Sequence, residues 1–187
     1  MIEASSIDDA PVISGADGIF LLKKLGICAM STKDAFFQKL EVNSNAKKEQ
    51  EDALKMTIQA FQQDTAVLIK TIQEWFASSP VKATVSSVSL FEESTRFEVT
   101  SLKLVNGSKS LTIVPTGLYY FGVAGALDVT IQNPERSPAT TKFSIHWKDS
   151  VSKLSGWVLV TGGGGQLPVQ RVEFNQENFF TSIMHFA

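Results

Sequence analysis

The chain has 187 residues, 43% of them hydrophobic and 19% charged. Those fractions suit a folded globule with its own core and exclude a chain that is disordered over most of its length. With 17 basic against 19 acidic residues the formal net charge is −2, which supplies no long-range field to draw the protein onto nucleic acid or an anionic membrane. Residues 1–18 mix Ser, Asp, Pro and Gly with scattered Ile and Val and show no period, so they read as a mobile arm. Met1 to Asp9 carries Glu3, Asp8 and Asp9 and no basic residue, unlike the basic start of a secretory signal. Cys28 is the only cysteine, so no internal disulfide points to an oxidising compartment. The longest nearly apolar stretch, Leu118 to Leu127, is about half the roughly 20 residues a spanning helix needs. Together these features predict a cytoplasmic protein with no membrane insertion.

Ile19 to Met30 is more apolar but is interrupted by Gly26, and reads as a short helix or a strand. Ser31 offers a helix N-cap, with Asp34 in a capping-box-like position three residues on. Phe36, Phe37 and Leu40 would then form the buried side of a short helix. A longer helix follows. Leu54, Ile58, Phe61, Thr65, Leu68, Ile72 and Trp75 recur at alternating steps of four and three, which places them on one helical stripe. Lys55, Gln59, Gln62 and Gln73 lie opposite. Asn43, Ser44 or Asn45 can cap its start, and Ser78, Ser79 and Pro80 end it. A helix of ~30 residues is ~45 Å long, more than one small sheet covers, so part is free to overhang or to pack on a partner.

After Pro80 the period becomes alternating. Val88 and Leu90, Phe97 and Val99, then Leu102 and Leu104 alternate with polar residues. The phase slips at Ser101, which suggests a bulge. Asn106-Gly107 signals a hairpin. A two-residue loop there sets Leu104 opposite Lys109. A four-residue loop sets Leu104 opposite Leu111 and Leu102 opposite Ile113, and direct apolar pairing favours this longer loop. Leu127, Val129 and Ile131, then Phe143, Ile145 and Trp147, alternate with polar residues on either side of a turn from Asn133 to Pro138. Trp157 to Val160 is a short buried-type strand, and Val172 with Phe174 marks another. A terminal helix over about 176–186 has Asn175 as cap, Glu177 in its first turn, and Phe179, Ile183 and Phe186 on one face.

The fold class is therefore α+β: N-terminal helices over about 19–79, one of them long and amphipathic, pack on an antiparallel meander of six to eight strands over about 84–174. The short terminal helix follows. No linker divides the chain, so residues 19–187 read as one domain.

Candidate chemistry is sparse. Gly162 to Gly165 could cradle phosphate, but Gln166, Leu167 and Pro168 follow it where a phosphate loop needs Lys-Ser/Thr and a helix. A flexible connection is the simpler reading. His146 and His185 are the only histidines, and no Cys-His or His-x-x-x-His spacing supports a metal. His146 lies on the polar side of its strand, and His185 falls in a last helical turn where a cation is favoured. Cys28 sits in an apolar stretch without a nucleophile signature. Glu92, Glu93, Glu98, Asp128 and Glu173 could pair across strands as acid and base, but read more simply as solvated carboxylates. Pro115-Thr116-Gly117 and Leu118 to Gly125 mix aromatics with glycines, as in strands that approach another backbone closely. An aromatic-walled ligand cleft is the alternative.

The order of the amphipathic helix ending at Trp75, Pro115-x-Gly117, Gly122-x-x-Gly125 with Asp128-Val129, Gly156-Trp157 and a phenylalanine-rich terminal helix resembles a small bacterial domain family of no assigned activity. The resemblance covers about residues 50–187, rests on turn and core positions, and carries no catalytic residues. The sequence implies no cofactor. The expected function is a non-enzymatic protein-interaction module, such as a bacterial immunity, adaptor or accessory protein of a conflict system. Another protein is the expected partner, and the long helix offers a route to a homo-oligomer. Trp75, Phe76, Tyr119 and Tyr120 are the candidate anchors. A small-ligand or lipid binder with an aromatic cavity is the alternative, and an enzyme with a dispersed site is a third reading.

Overall fold

A computed structural model describes residues 31–120, 122–162 and 168–187, with Tyr120 described in its backbone alone. The expectations for the arm, for Ile19 to Met30 and for Cys28 lie outside the described residues, as do those for Gly163 to Gly165. The chain divides into two compact units, Met1–Glu51 and Asp52–Ala187. Helix α1, Thr32–Phe76, runs through the boundary between them.

In the first unit, Ser31 begins α1 as its sequence foretells. Its hydroxyl accepts the Asp34 backbone N–H at 3.1 Å and donates to the Asp34 carboxylate at 2.7 Å. This closes one of the orphan donors of the first turn. Two expectations fail here. Asn43, Ser44 and Asn45 do not start a second helix, because α1 continues through them for 45 residues in all. Asn and Ser cost only a few tenths of a kcal/mol in a helix interior, and the segment contains no Gly or Pro to break it. Phe36, Phe37 and Leu40 are exposed rather than buried.

In the second unit, the helical stripe is the core face of α1. Leu54, Ile58, Phe61, Thr65, Leu68 and Ile72 are buried, joined by Ile69 and Phe76. Trp75 is half-buried. The stripe packs on an antiparallel sheet of seven strands in the sequential order β1-β2-β3-β4-β5-β6-β7. These are Lys82–Glu92, Thr95–Asn106, Lys109–Tyr120, Val123–Gln132, Thr140–Asp149, Trp157–Thr161 and Gln170–Glu173. Helix α2, Gln176–Ser182, and a 3-10 turn, Met184–Phe186, close the chain. Asn175 caps α2 by accepting the Asn178 N–H at 2.9 Å. The expected single helix to residue 186 is broken at Ile183, but Phe179, Ile183 and Phe186 are buried as its pattern requires. The architecture is α+β.

The β2–β3 hairpin has the apolar register, Leu104↔Leu111 and Leu102↔Ile113. Its loop is nonetheless only Gly107-Ser108, because Asn106 pairs with Lys109. Ser101 is not a bulge: β1 and β2 keep one uninterrupted register from Lys82↔Val105 to Glu92↔Thr95. Ser101 and Leu102 are both buried instead, so burial changes face within a continuous strand. Ser101 is tolerated there because its hydroxyl meets Ser86 Oγ at 2.8 Å. The register shift lies between Pro115 and Gly117, where β3 pairs with β4.

Gly125 serves the helix rather than a second backbone. A Cβ on Gly125 would stand 2.6 Å from Phe61 Cε2. The ring of Phe61 thus occupies the space above β4, with Trp147 at 5.4 Å and Trp157 at 6.3 Å between centroids. Among the described residues, no helix is long and apolar enough to cross a membrane.

Candidate functional site

The end of α1 meets the end of the chain in an apolar groove. Trp75, Phe76, Ser79, Pro80 and Val81 form one side, and Asn106, Phe180, Ile183, Met184, Phe186 and Ala187 complete it, enclosing about 350 Å³. Each wall is placed by a local rule. Pro80 stops the helix, and the Ser79 hydroxyl donates to the Phe76 carbonyl at 2.7 Å while accepting the Val81 N–H at 3.3 Å. The chain therefore turns sharply from α1 into β1. Opposite it, Asn133 Nδ2 donates to the His185 carbonyl at 2.8 Å and Asn106 Nδ2 to the Phe186 carbonyl at 3.3 Å. These two amides tie the terminal turn to β2 and to the residue that follows β4.

An aromatic cluster stiffens the floor. Trp75 stacks on Phe174 at 5.8 Å and contacts Phe179 at 5.6 Å. Phe76 meets Phe180 at 5.3 Å and Phe186 at 6.3 Å. Rings packed in this way add about 0.5–1.5 kcal/mol per pair beyond the area they bury. Met184, by contrast, is 64% exposed at the rim. The Ser79 hydroxyl and the Asn106 Nδ2 are already engaged, and the groove carries no ionisable side chain. What it offers is apolar contact and a flexible thioether.

Two of the expected anchors, Trp75 and Phe76, therefore come together here. Phe76 is buried and Trp75 half-buried. Tyr119 is elsewhere, at the end of β3, exposed and with a left-handed φ of 56°. Tyr120 adjoins it.

A second cluster was not legible as a site. Asp149, at the end of β5, has a fully buried side chain. Its Oδ1 accepts the N–H groups of Val151 at 2.8 Å and Ser152 at 3.1 Å. Its Oδ2 meets His146 Nδ1 at 3.2 Å and accepts Arg171 Nε at 3.1 Å. Burial alone would raise the Asp149 pKa, but the bonds from Ser152, Val151, His146 and Arg171 outweigh it and hold the carboxyl below its ordinary value. The Asp-Ser-Val-Ser run that begins on the last residue of β5 is an Asx-turn signal that could have found the two backbone contacts. Nothing local announces Arg171, which arrives from β7.

The remaining candidates stay apart. His185 lies beside Arg136, while His146 is committed to Asp149. Glu98 and Glu173 lend their backbone carbonyls to Gln62 and Asn178. Asp128 accepts from Ser144 at 3.4 Å. None of these carboxylates, nor Glu92 or Glu93, bonds to another of the set, and no group of three potential ligands could hold a metal among the described residues. Comparison with protein-family models, with curated proteins and with solved structures finds no match to this chain.

Proposed function

We propose that the chain is a non-enzymatic protein-interaction module of a reducing compartment, and that the groove beside Trp75 and Phe76 receives a large apolar side chain of another protein. One observation carries this reading: an apolar recess without an ionisable side chain, floored by packed rings and rimmed by the exposed Met184. Apolar recesses that lose their water on binding are where a few anchors concentrate binding energy, and an unbranched thioether adapts to the shape that enters. The volume, about 350 Å³, also falls at the lower end of small-molecule sites. That supports a second reading, an apolar small ligand.

Met184→Glu tests both. A carboxylate at the rim opposes burial of an apolar anchor, while an exposed position leaves the fold intact. Pull-downs from the native host are compared for the parent and this variant, with circular dichroism as the folding control. A protein recovered with the parent and lost with folded Met184→Glu supports the module. A small molecule copurifying with the parent, with no protein lost, moves the assignment to the second reading. Turnover that survives repurification and is indifferent to Met184→Glu overturns both.

A further inference from the structure

The two edges of the sheet are treated unequally. β7 is four residues long and carries Arg171 and Glu173, so it is short and charged, as protected edges are. β1 is eleven residues long, holds no proline, and bears no charge between Lys82 and Glu92. Its register with β2 is unbroken. Alternate residues of such a strand direct their N–H and C=O groups away from the neighbour, which leaves a template for another strand. Its side chains are exposed from Lys82 to Ser87. Val85 is 45% and Phe91 69% exposed.

We propose that β1 pairs antiparallel with β1 of a second copy of this chain, about a two-fold axis through Ser87, joining two sheets edge to edge. Self-complementarity carries the assignment. In that register Lys82 stands opposite Glu92 of the second copy, twice by symmetry. Neither residue forms an ion pair with any described residue of its own chain. Ala83 stands opposite Phe91, which is also diagonal to Val85 on the same face. The smallest apolar side chain of the strand thus faces its largest, and the charges at its two ends are matched. The groove is not involved, so the two readings fail separately.

Sedimentation equilibrium over a concentration series tests the state of assembly, with circular dichroism melts as the folding control. The parent dimerises. Lys82→Glu or Glu92→Lys alone sets like charges opposite each other twice and weakens the dimer by about tenfold, and the doubly exchanged Lys82→Glu/Glu92→Lys restores it. The register is read independently by disulfide formation in a Cys28→Ser background. Ser87→Cys crosslinks under mild oxidation, because directly opposed residues lie about 4.5–5.5 Å apart, within disulfide reach. Ser89→Cys does not, since its symmetry mate is displaced by about 13 Å along the strands. A parent that stays monomeric throughout overturns the proposal. So does a dimer indifferent to both charge changes, or one in which Ser89→Cys crosslinks as well as Ser87→Cys.

Discussion

The indole N–H of Trp147 on β5 donates to the Asp64 carboxylate on α1 across 2.9 Å. Trp147 is 2% exposed, and this bond satisfies its one donor while fixing the helix along the sheet. Gln62, two residues earlier, adds a parallel restraint by donating to the Glu98 carbonyl at 2.7 Å. The helix is thus held by directional bonds on either side of Phe61 as well as by its apolar stripe.

Removing that acceptor leaves a buried donor without a partner. Asp64→Ala should lower unfolding free energy by about 1–3 kcal/mol. Asp64→Asn keeps an oxygen in place and should lose less. Urea denaturation of both variants checks the order; equal losses would mean that the carboxylate contributes through something other than this bond.

Gly125 is fixed by the same helix residue. Because a Cβ there would meet the Phe61 ring at 2.6 Å, and Phe61 is fully buried between tryptophans, the ring has nowhere to go. Gly125→Ala should cost about 1–3 kcal/mol, the usual price of overpacking. A smaller partner should relieve it: in Gly125→Ala/Phe61→Leu the two losses should be less than additive, as a double-mutant cycle of thermal melts would read.

Much of this fold was legible, and the reason is periodicity. The 3.6-residue stripe from Leu54 to Ile72 and the alternation at Leu127–Ile131 and Phe143–Trp147 report directly which side of each element is buried. The hairpin register was legible because Leu102, Leu104, Leu111 and Ile113 pair best in one alignment. What was not legible is what the chain brings together from afar. Asp149 reads as one more strand-end carboxylate until β7 delivers Arg171. Phe36 and Phe37 look like core because sequence shows hydrophobicity but not whether a surface lies opposite. The groove was half visible: Trp75 and Phe76 stand out, but Met184 and Val81 join them only through the turn at Pro80 and the tie from Asn133.

The contrast between the two parts of α1 can be measured. Phe61→Asp places an unpaired charge where no water reaches and should abolish cooperative folding, a cost of several kcal/mol. Phe36→Asp, at a position 59% exposed, should change stability by no more than about 0.5 kcal/mol. Comparable destabilisation at both sites, followed by circular dichroism, would show that the first unit's apolar side chains are covered in solution.

Asp149 predicts a pH dependence with a definite sign. Its folded pKa is depressed below the ordinary carboxylate value, so the folded state binds fewer protons than the unfolded state in the acid range. The contribution is then fully present above the unfolded pKa, near about 4, and is lost as pH falls through the folded value. Asp149→Asn should destabilise the protein at neutral pH by about 1–3 kcal/mol, since weaker acceptance leaves buried donors underserved. Below about pH 5, as the Asp149 carboxyl takes up its proton, the gap between parent and variant should narrow. A gap that widens over that acid range, below about pH 5, would reverse the assigned sign.

Thr65 offers a gain rather than a loss. It is fully buried in the middle of the α1 stripe, and its hydroxyl has no hydrogen-bond partner among the described residues. The neighbouring threonines show what is missing: Thr57 donates to the Ala53 carbonyl and Thr71 to the Val67 carbonyl, each at 2.9 Å, one helical turn back. Such back-bonding is the ordinary resort of a helical threonine, and Thr65 does not make it. The stripe asks only for a β-branched shape there, and valine supplies that shape without a group to desolvate. Thr65→Val should therefore raise the unfolding free energy by about 1 kcal/mol, the cost of an unsatisfied buried hydroxyl less a small difference in helix propensity. Thr65→Ser should lower it, because it keeps the hydroxyl and removes a buried methyl. Thermal and urea unfolding of the two variants give opposite signs on this account. A loss of stability in Thr65→Val would reveal a partner for the hydroxyl and place a polar contact inside the helix–sheet interface.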